Sequence, residues 1–232
     1  MVIVIQNDPL VPPGLFGRFL EELKVDWQCW QADQDTAVPP ADAIIILGGT
    51  MGVNDEQAFP FLRRLKGNIQ RWLDEGLPLL GICLGGQLLA EVAGGPFFSA
   101  RNGEHGVVTI EQTAAGCDDP LFAGLPRHMP VFQWHNDSFL TPPHAELLAS
   151  SAACHGQAFR LGNAWGLQFH PEIDRSIVEL WGARRPESAF HVQQYLDYAN
   201  DLAAWSRRLL VNFLTVSYPS SKQRERYGQV SV

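Results

Sequence analysis

The feature that most constrains the fold is a set of short, almost wholly apolar segments. Residues 2–5 (VIVI), 42–47 (DAIIIL) and 77–82 (LPLLGI) are rich in Val, Ile and Leu. Such uninterrupted runs are typical of strands that are buried on both faces of a parallel sheet. Between the last two runs, apolar residues recur at the spacing of one helix face, at Phe61, Leu65, Ile69, Trp72 and Leu73. Strands that alternate with helices predict βαβ units and a parallel sheet covered on both faces.

The remaining chain predicts a single α/β domain. A helix is expected at about residues 14–24, and two further helices should close the fold at about 174–182 and 188–214. The region from 96 to 168 is rich in Gly, Pro and short strand-like runs, namely residues 106–111, 130–134, 145–149 and 165–169. We therefore predict a three-layer α/β fold, with a mostly parallel central sheet between helices and a smaller mixed or antiparallel region. The domain is expected to span residues 1–216, and a polar tail to span 217–232.

Composition and charge exclude several classes of function. The 232 residues are 46% hydrophobic and carry a net charge of −8, which disfavours binding to nucleic acid or an anionic membrane. No signal peptide and no membrane span of roughly 20 apolar residues is found, so a cytoplasmic location is expected. The chain has four cysteines, Cys29, Cys83, Cys117 and Cys154, and no two of them form a C-x-x-C pair. We therefore expect no disulfide scaffold, and we also expect no metal site and no cofactor.

A strand that leads directly into a helix carries a cysteine at its turn. The segment G-I-C-L-G-G at residues 81–86 follows the elbow pattern G-x-S-x-G, with Cys83 in the serine position. Side chains two residues before and after the nucleophile would collide across this turn, which explains Gly81 and Gly85. The turn exposes the sulfur, and the N-terminus of the following helix favours the thiolate. Cys83 is therefore a candidate nucleophile, and the N–H of Leu84 is expected to point toward a developing oxyanion.

A cysteine nucleophile needs a base, and the candidate lies in Q-F-H-P-E at residues 168–172. His170 follows a predicted strand, and Pro171 restricts it to extended geometry. Extended geometry places Glu172 on the same side as His170, where its carboxylate can fix the imidazole tautomer. The sequence predicts that Cys83 and His170 meet across a cleft although 87 positions separate them.

These two motifs, together with I-L-G-G-T-M-G-V-N-D at residues 46–55, closely resemble those of the class I (triad) glutamine amidotransferases, in particular free-standing GMP-synthase-like glutaminase domains. The resemblance implies a flavodoxin-like domain that hydrolyses the side-chain amide of glutamine to glutamate and ammonia. It implies that Cys83 forms a γ-glutamyl thioester. It also implies that His170 protonates the departing ammonia and activates water, while Glu172 orients His170.

The resemblance further implies residues that bind the substrate. The oxyanion hole would consist of the backbone N–H groups of Leu84 and Gly49, and a glycine after a strand lets the backbone approach a ligand closely. The side chain of Gln87 is implied to hold glutamine, although a buried amide satisfied by the backbone is an alternative. The loop that resembles the H-x-D loop of GMP synthase would meet the substrate's α-amino and carboxylate groups, unless it is a structural turn; its residues are His135, Asn136 and Asp137.

Three functions remain open from the sequence. The first is a glutaminase that passes ammonia to an unknown acceptor. No synthetase domain follows residue 232 and no G-x-x-x-x-G-K-[ST] loop occurs, so we expect either a separate synthetase partner or a free-standing hydrolase. The second is a hydrolase or transferase of γ-glutamyl peptides or conjugates with the same triad. The third is a non-catalytic regulatory subunit, against which the intact Cys83, His170 and Glu172 argue.

Overall fold

A computed structural model describes residues 1–34, 37–184 and 189–218. Its N-terminal half alternates strands with helices, in the order β1 Val2–Gln6, α1 Gly14–Glu22, β2 Trp27–Gln31, β3 Ala43–Ile46, α2 Phe61–Asp74, β4 Leu79–Ile82 and α3 Leu84–Val92. Its C-terminal half contains mostly strands before two closing helices, in the order β5 Phe97–Phe98, β6 Glu104–Gln112, α4 Ala114–Asp118, a 3₁₀ turn Pro120–Phe122, β7 His128–His135, β8 Ser138–Phe139, β9 Glu146–Ser150, β10 Ala158–Leu161, β11 Ala164–Leu167, α5 Arg175–Ala183 and α6 Ala189–Ser217.

The described strands form one nine-stranded sheet and one small ribbon. The order in the large sheet is β2-β1-β3-β4-β11-β10-β9-β6-β7, and the ribbon pairs β5 with β8. Strands β2, β1, β3, β4 and β11 are parallel to one another, whereas β11, β10, β9, β6 and β7 pair antiparallel. The predicted α/β fold with a parallel sheet and an antiparallel region is thereby confirmed, and the antiparallel strands continue the same sheet.

The apolar runs form central strands because both of their faces are buried. In β1, Val2 and Val4 belong to the core on the side of α1, α5 and α6, while Ile3 and Ile5 belong to the core on the side of α2 and α3. Successive side chains of a strand point to opposite faces, so an uninterrupted apolar run supplies both cores at once. The three layers predicted from the sequence follow directly from this alternation.

Two strands of the nine-stranded sheet have no counterpart among the sequence expectations, and neither do the short ribbon strands β5 and β8. Strand β2 (WQCWQ) lies at the sheet edge and is mostly half-buried, so its sequence mixes glutamines with tryptophans and shows no apolar run. Strand β10 (AFRL) is only four residues long and ends in half-buried positions. An edge strand is only partly buried, and a strand of four residues is short. Neither therefore shows the apolar run from which strands are predicted.

The chain end is described as far as Tyr218. Helix α6 begins at Ala189 and ends at Ser217, whereas the sequence predicted a helix over about 188–214. Ser217 and Tyr218, the first two residues of the predicted polar tail, are both buried. The rest of that tail, residues 219–232, lies outside the described residues. Within the described ranges, no helix combines the length and the apolar character needed to cross a bilayer, and the cytoplasmic location stays a prediction.

We expect Gly85→Ala to lower the free energy of unfolding by about 1–3 kcal/mol, the usual cost of overpacking. A Cβ atom at Gly85 would lie 2.1 Å from the carbonyl oxygen of Ile46, so α3 would have to move away from β3. Urea denaturation followed by circular dichroism measures the change.

The matched control for this substitution is Gly67→Ala in the middle of α2. A Cβ atom there meets no atom within 4 Å, so the substitution should raise the stability by about 0.5–1 kcal/mol through helix propensity alone. Equal stability of Gly85→Ala and wild type would contradict the close packing of α3 against β3.

Candidate active site

The register of two parallel strands brings Cys83 beside the segment that carries His170. Leu167 in β11 pairs with Ile82 in β4, and the N–H of Cys83 donates to the carbonyl of Leu167 at 2.8 Å. A Cβ atom built on Gly48 would lie 3.1 Å from Cε1 of His170 and 3.5 Å from Cβ of Cys83. Both side chains therefore lie near Gly48 in the loop after β3, and the structure places Cys83 and His170 at the same cavity.

Cys83 occupies a strained turn between β4 and α3. Its backbone has φ 49° and ψ −109°, a region that L-residues with a side chain rarely adopt. A Cβ atom at Gly81 would lie 2.5 Å from the carbonyl oxygen of Gly85, so the expected collision across the elbow is present. The turn places Cys83 at the C-terminal end of the parallel strands, where ligands of open α/β sheets bind.

Glu172 fixes the orientation and the tautomer of His170. Nδ1 of His170 donates to Oε1 of Glu172 at 2.7 Å, and both side chains are buried. The backbone N–H of His170 donates to the carbonyl of Phe132 at 2.9 Å, which ties the motif to β7. Nε2 of His170 is buried and has no hydrogen-bond partner among the described residues. This nitrogen is the one left free to exchange a proton with Cys83 or with a ligand.

The electrostatic surroundings favour a protonated His170. Burial by itself would lower the pKa of the imidazole, but the carboxylate of Glu172 and the charge on Cys83 outweigh burial and raise the pKa to about 10. Opposite charges a few ångströms apart in a poorly solvated site stabilise the charged form. The arrangement therefore supports a protonated imidazole beside Cys83 at neutral pH.

Gln168 contacts the sulfur, although sequence reasoning assigned it no role. It is fully buried, and its Nε2 lies 3.8 Å from Sγ of Cys83 in donor geometry. Its Oε1 accepts a hydrogen bond from Nε2 of Gln87 at 3.3 Å. Strand alternation could have revealed Gln168 from the sequence, because residues 168, 170 and 172 lie on the same side of an extended segment.

Gly49 and Leu84, the two predicted donors of an oxyanion hole, adjoin each other. A Cβ atom at Gly49 would lie 2.8 Å from Cδ2 of Leu84, so the loop after β3 packs against the side chain at the start of α3. Leu84 is the first residue of α3, and its N–H therefore has no partner within the helix. The carboxylate of Asp8 holds the same loop by accepting from N–H of Thr50 at 3.1 Å.

The predicted substrate-binding side chains line the same cavity as Cys83. Nε2 of Gln87 donates to the carbonyl of Asp137 at 3.2 Å, which is the backbone-satisfied arrangement weighed above. Nδ1 of His135 lies 2.8 Å from that same carbonyl, and Oδ1 of Asp137 accepts from N–H of Ala100 at 2.7 Å. The side chain of Asn136 is exposed at the cavity. Side-chain–backbone hydrogen bonds, two of them to residues outside the loop, therefore brace it.

The cavity has a volume of about 240 Å³ and includes residues that the sequence analysis did not single out. Trp181 packs edge-on against His170 with ring centroids 5.0 Å apart, and its indole N–H donates to the carbonyl of Leu10. Trp134 lies 5.9 Å from Trp181, and Arg184 brings a cation to the rim. Trp134 belongs to β7, whereas Trp181 and Arg184 lie at the end of α5, and no local motif links them to the cavity.

Comparisons with known proteins agree with the fold and with the motifs. A sequence model of class-I glutamine amidotransferase matches residues 17–177. The glutamine-hydrolyzing GMP synthase subunit of Thermoplasma acidophilum is 30% identical over 164 residues, which are 68% of this chain and 78% of that protein. The GMP synthase of Thermomicrobium roseum is 39% identical over 132 residues, 56% of this chain but only 23% of that much longer protein.

A solved structure shows the same architecture. A glutamine amidotransferase from Thermotoga maritima superposes with a TM-score of 0.83 at 28% identity, covering 91% of this chain and 96% of that one. The family match covers more than half of this chain and includes the elbow cysteine and the Q-F-H-P-E segment. The chain therefore belongs to the class I glutamine amidotransferase family.

Proposed function

We propose that this protein hydrolyses the side-chain amide of glutamine to glutamate and ammonia through a thioester on Cys83. The observation that carries the proposal is the arrangement of Cys83, His170 and Glu172 at one cavity. Glu172 holds Nδ1 of His170, while Nε2 is left without a partner among the described residues beside the cysteine. A nucleophile, a base and an orienting carboxylate in this order make up the triad used for acyl transfer.

In the proposed acylation step, Sγ of Cys83 attacks the amide carbon of glutamine. His170 holds the thiol proton on Nε2 and delivers it to the departing nitrogen, so that ammonia leaves and a γ-glutamyl thioester remains. The negative charge that develops on the amide oxygen would be stabilised by the backbone N–H groups of Leu84 and Gly49. Gln168 would support the thiolate through its contact with the sulfur.

Deacylation uses the same residues in the opposite sense. A water molecule attacks the thioester carbon, Nε2 of His170 accepts its proton, and Sγ of Cys83 departs with the bonding electrons. Glutamate is released and the thiolate–imidazolium pair is restored. Glu172 stays ionised throughout, stabilises the imidazolium and keeps the ring in one orientation.

Substrate recognition is proposed to use the polar rim of the cavity. A volume of about 240 Å³ lies just below the range of drug-sized ligand pockets, which fits a ligand as small as an amino acid. The amide of Gln87 and the loop of Asn136 and Asp137 would contact the α-amino group. Arg184 would face the α-carboxylate.

The acceptor of the ammonia is proposed to lie on a separate synthetase partner. The support comes from the Thermoplasma acidophilum relative, which is named as one subunit of GMP synthase and of which this chain matches 78%. Addition of such a synthetase should raise the rate of glutamine hydrolysis by this protein, since ammonia release would then be coupled to its use.

We expect Cys83→Ala to reduce glutamine hydrolysis by roughly 10⁶-fold, the loss typical when the nucleophile of a triad is removed. Ammonia and glutamate are both measured with purified protein. An electrophilic glutamine analogue should form a covalent adduct with wild type, which mass spectrometry locates on Cys83.

Cys117→Ala provides the matched control, because Cys117 is an exposed cysteine in α4 and should be neutral for turnover and labelling. Turnover that persists in Cys83→Ala would remove Cys83 from the mechanism. A wild type that neither turns over glutamine nor accepts the analogue at neutral pH would favour a regulatory role without catalysis.

We expect Glu172→Gln to lower the pKa of His170, which the Glu172 carboxylate and Cys83 raise to about 10 against the effect of burial. The imidazole of the variant should be neutral at pH 7.5, whereas that of wild type should be protonated. Nuclear magnetic resonance of ¹⁵N-labelled histidine measures both titrations. Glu179→Gln, which removes an exposed carboxylate on α5, is the control.

The raised pKa of His170 should also make the free energy of unfolding depend on pH. A histidine whose folded pKa lies above its unfolded value stabilises the fold fully below about pH 6.5. This stabilisation declines as the pH rises and is lost above about pH 10. The difference in unfolding free energy between wild type and Glu172→Gln should therefore narrow from pH 7 to pH 10. A constant difference would contradict a charged His170.

Hydrolysis of γ-glutamyl peptides is the second candidate function. It is favoured by the aromatic and basic rim beyond the Cys83–His170 pair, where Trp134 and Arg184 could contact a larger leaving group. We expect kcat/KM for glutamine to exceed that for γ-glutamyl dipeptides, because ammonia needs no room in the cavity. The reverse order of kcat/KM would establish the second candidate instead.

A further inference from the structure

A second group of reactive side chains shares no residue with the Cys83–His170–Glu172 arrangement, although one of its members, His135, lines the cavity. Glu104 at the start of β6 pairs with His135 at the end of β7, and the loop after β9 brings Cys154 against both. A carboxylate oxygen, an imidazole nitrogen and a thiol sulfur lie within 4.8 Å of one another, and all three residues are buried.

The hydrogen bonds around His135 determine its tautomer. Nδ1 lies 2.8 Å from the carbonyl oxygen of Asp137, which can only accept, so Nδ1 carries a proton. In a neutral ring, Nε2 then presents a lone pair. This atom is buried and without a hydrogen-bond partner in the described ranges, and it lies 3.5 Å from Oε2 of Glu104. Two acceptors facing each other in a buried site require a proton or a metal cation between them.

Hydrogen bonds from neighbouring side chains fix the carboxylate of Glu104, as is usual for a metal ligand. The hydroxyl of Ser151 donates to Oε1 at 2.8 Å, and the amide of Gln157 donates to Oε2. The amide of Gln157 is in turn fixed, because its Oε1 accepts from Nε2 of Gln133 at 2.7 Å. Together with the His135–carbonyl contact, these bonds are the outer-shell interactions that orient metal ligands.

We infer that Glu104, His135 and Cys154 form a binding site for a zinc ion. Sulfur, imidazole nitrogen and carboxylate oxygen are the donors that Zn²⁺ takes, at bond lengths that place tetrahedral ligand atoms about 3.3–3.8 Å apart. The 3.5 Å between Nε2 of His135 and Oε2 of Glu104 lies within this range.

The charges of the site also fit a divalent cation. On binding, Cys154 gives its thiol proton to solvent, and its thiolate together with the carboxylate of Glu104 neutralises the two positive charges of zinc. The fourth ligand would be a water molecule. None of the three ligands belongs to the Cys83–His170–Glu172 arrangement, so zinc binding can be tested separately from the proposed glutaminase activity.

The test is titration of the purified full-length protein with Zn²⁺ in competition with a chromophoric chelator. We expect wild type to bind one equivalent and Cys154→Ala to bind more than about 100-fold more weakly, since even changes to outer-shell partners cost 10–100-fold. Co²⁺ in place of zinc should give a sulfur-to-metal charge-transfer band in wild type that Cys154→Ala lacks. Zinc should also raise the thermal midpoint of wild type but not that of Cys154→Ala.

Three further variants keep the test decisive. Cys117→Ala and Cys83→Ala should bind zinc as wild type does, because neither sulfur belongs to the site. Cys154→Ser, a smaller change in volume, replaces Cys154→Ala if near-ultraviolet circular dichroism shows that the alanine variant is not folded. Zinc binding lost in Cys83→Ala but kept in the Cys154 variants would overturn the inference. So would the absence of zinc binding to wild type.

Discussion

The pairing of β4 with β11 is the constraint on which the site depends. These strands are distant in sequence, yet their register sets Cys83 against the carbonyl of Leu167 and so beside Gln168 and His170. Helix α3 must then start immediately above this pairing. A Cβ atom at Gly86 would lie 2.6 Å from the carbonyl oxygen of Leu167, so only glycine allows the helix to approach so closely. The elbow glycines are therefore needed for the close packing of α3 on the β4–β11 pair as well as for the turn at Cys83.

Burial and neighbouring charges have opposite effects on the pKa of His170, and the effect of the charges is larger. An ionised imidazole would normally be unfavourable in a buried position, because it loses its hydration. Here the Glu172 carboxylate accepts from Nδ1 at 2.7 Å and Cys83 acts in the same direction, so the pKa of His170 rises to about 10 rather than falling. A rise of this size corresponds to several kcal/mol in favour of the protonated ring. The proposed proton transfers use the His170 ring in the orientation that Glu172 already holds.

Residues that act through local chain geometry could be predicted from the sequence, and those that act through tertiary packing could not. The elbow fixes Cys83, Gly81 and Gly85 within one turn, and Pro171 fixes Glu172 relative to His170, so both motifs can be recognised from adjacent residues. The central strands were equally visible, because burial on two faces leaves an uninterrupted apolar run.

The edge strand β2 lacks such a run, since one of its sides pairs with no other strand of the sheet. Trp181 and Arg184 reach the cavity from the end of α5, and nothing in their immediate sequence indicates a ligand. The group of Glu104, His135 and Cys154 is assembled from three separate segments, so no C-x-x-C or similar spacing could reveal it.

One carbonyl group links the two sites of this protein. The backbone oxygen of Asp137 accepts from Nδ1 of His135 and from Nε2 of Gln87, so the zinc ligand and the cavity side chain share an acceptor. A metal on Nε2 would hold the His135 ring and with it the position of this carbonyl. Glutamine in the cavity would act on the same carbonyl from the side of Gln87. Because coupling between binding sites is reciprocal, a zinc ion that tightens glutamine binding must itself be bound more tightly in the presence of glutamine.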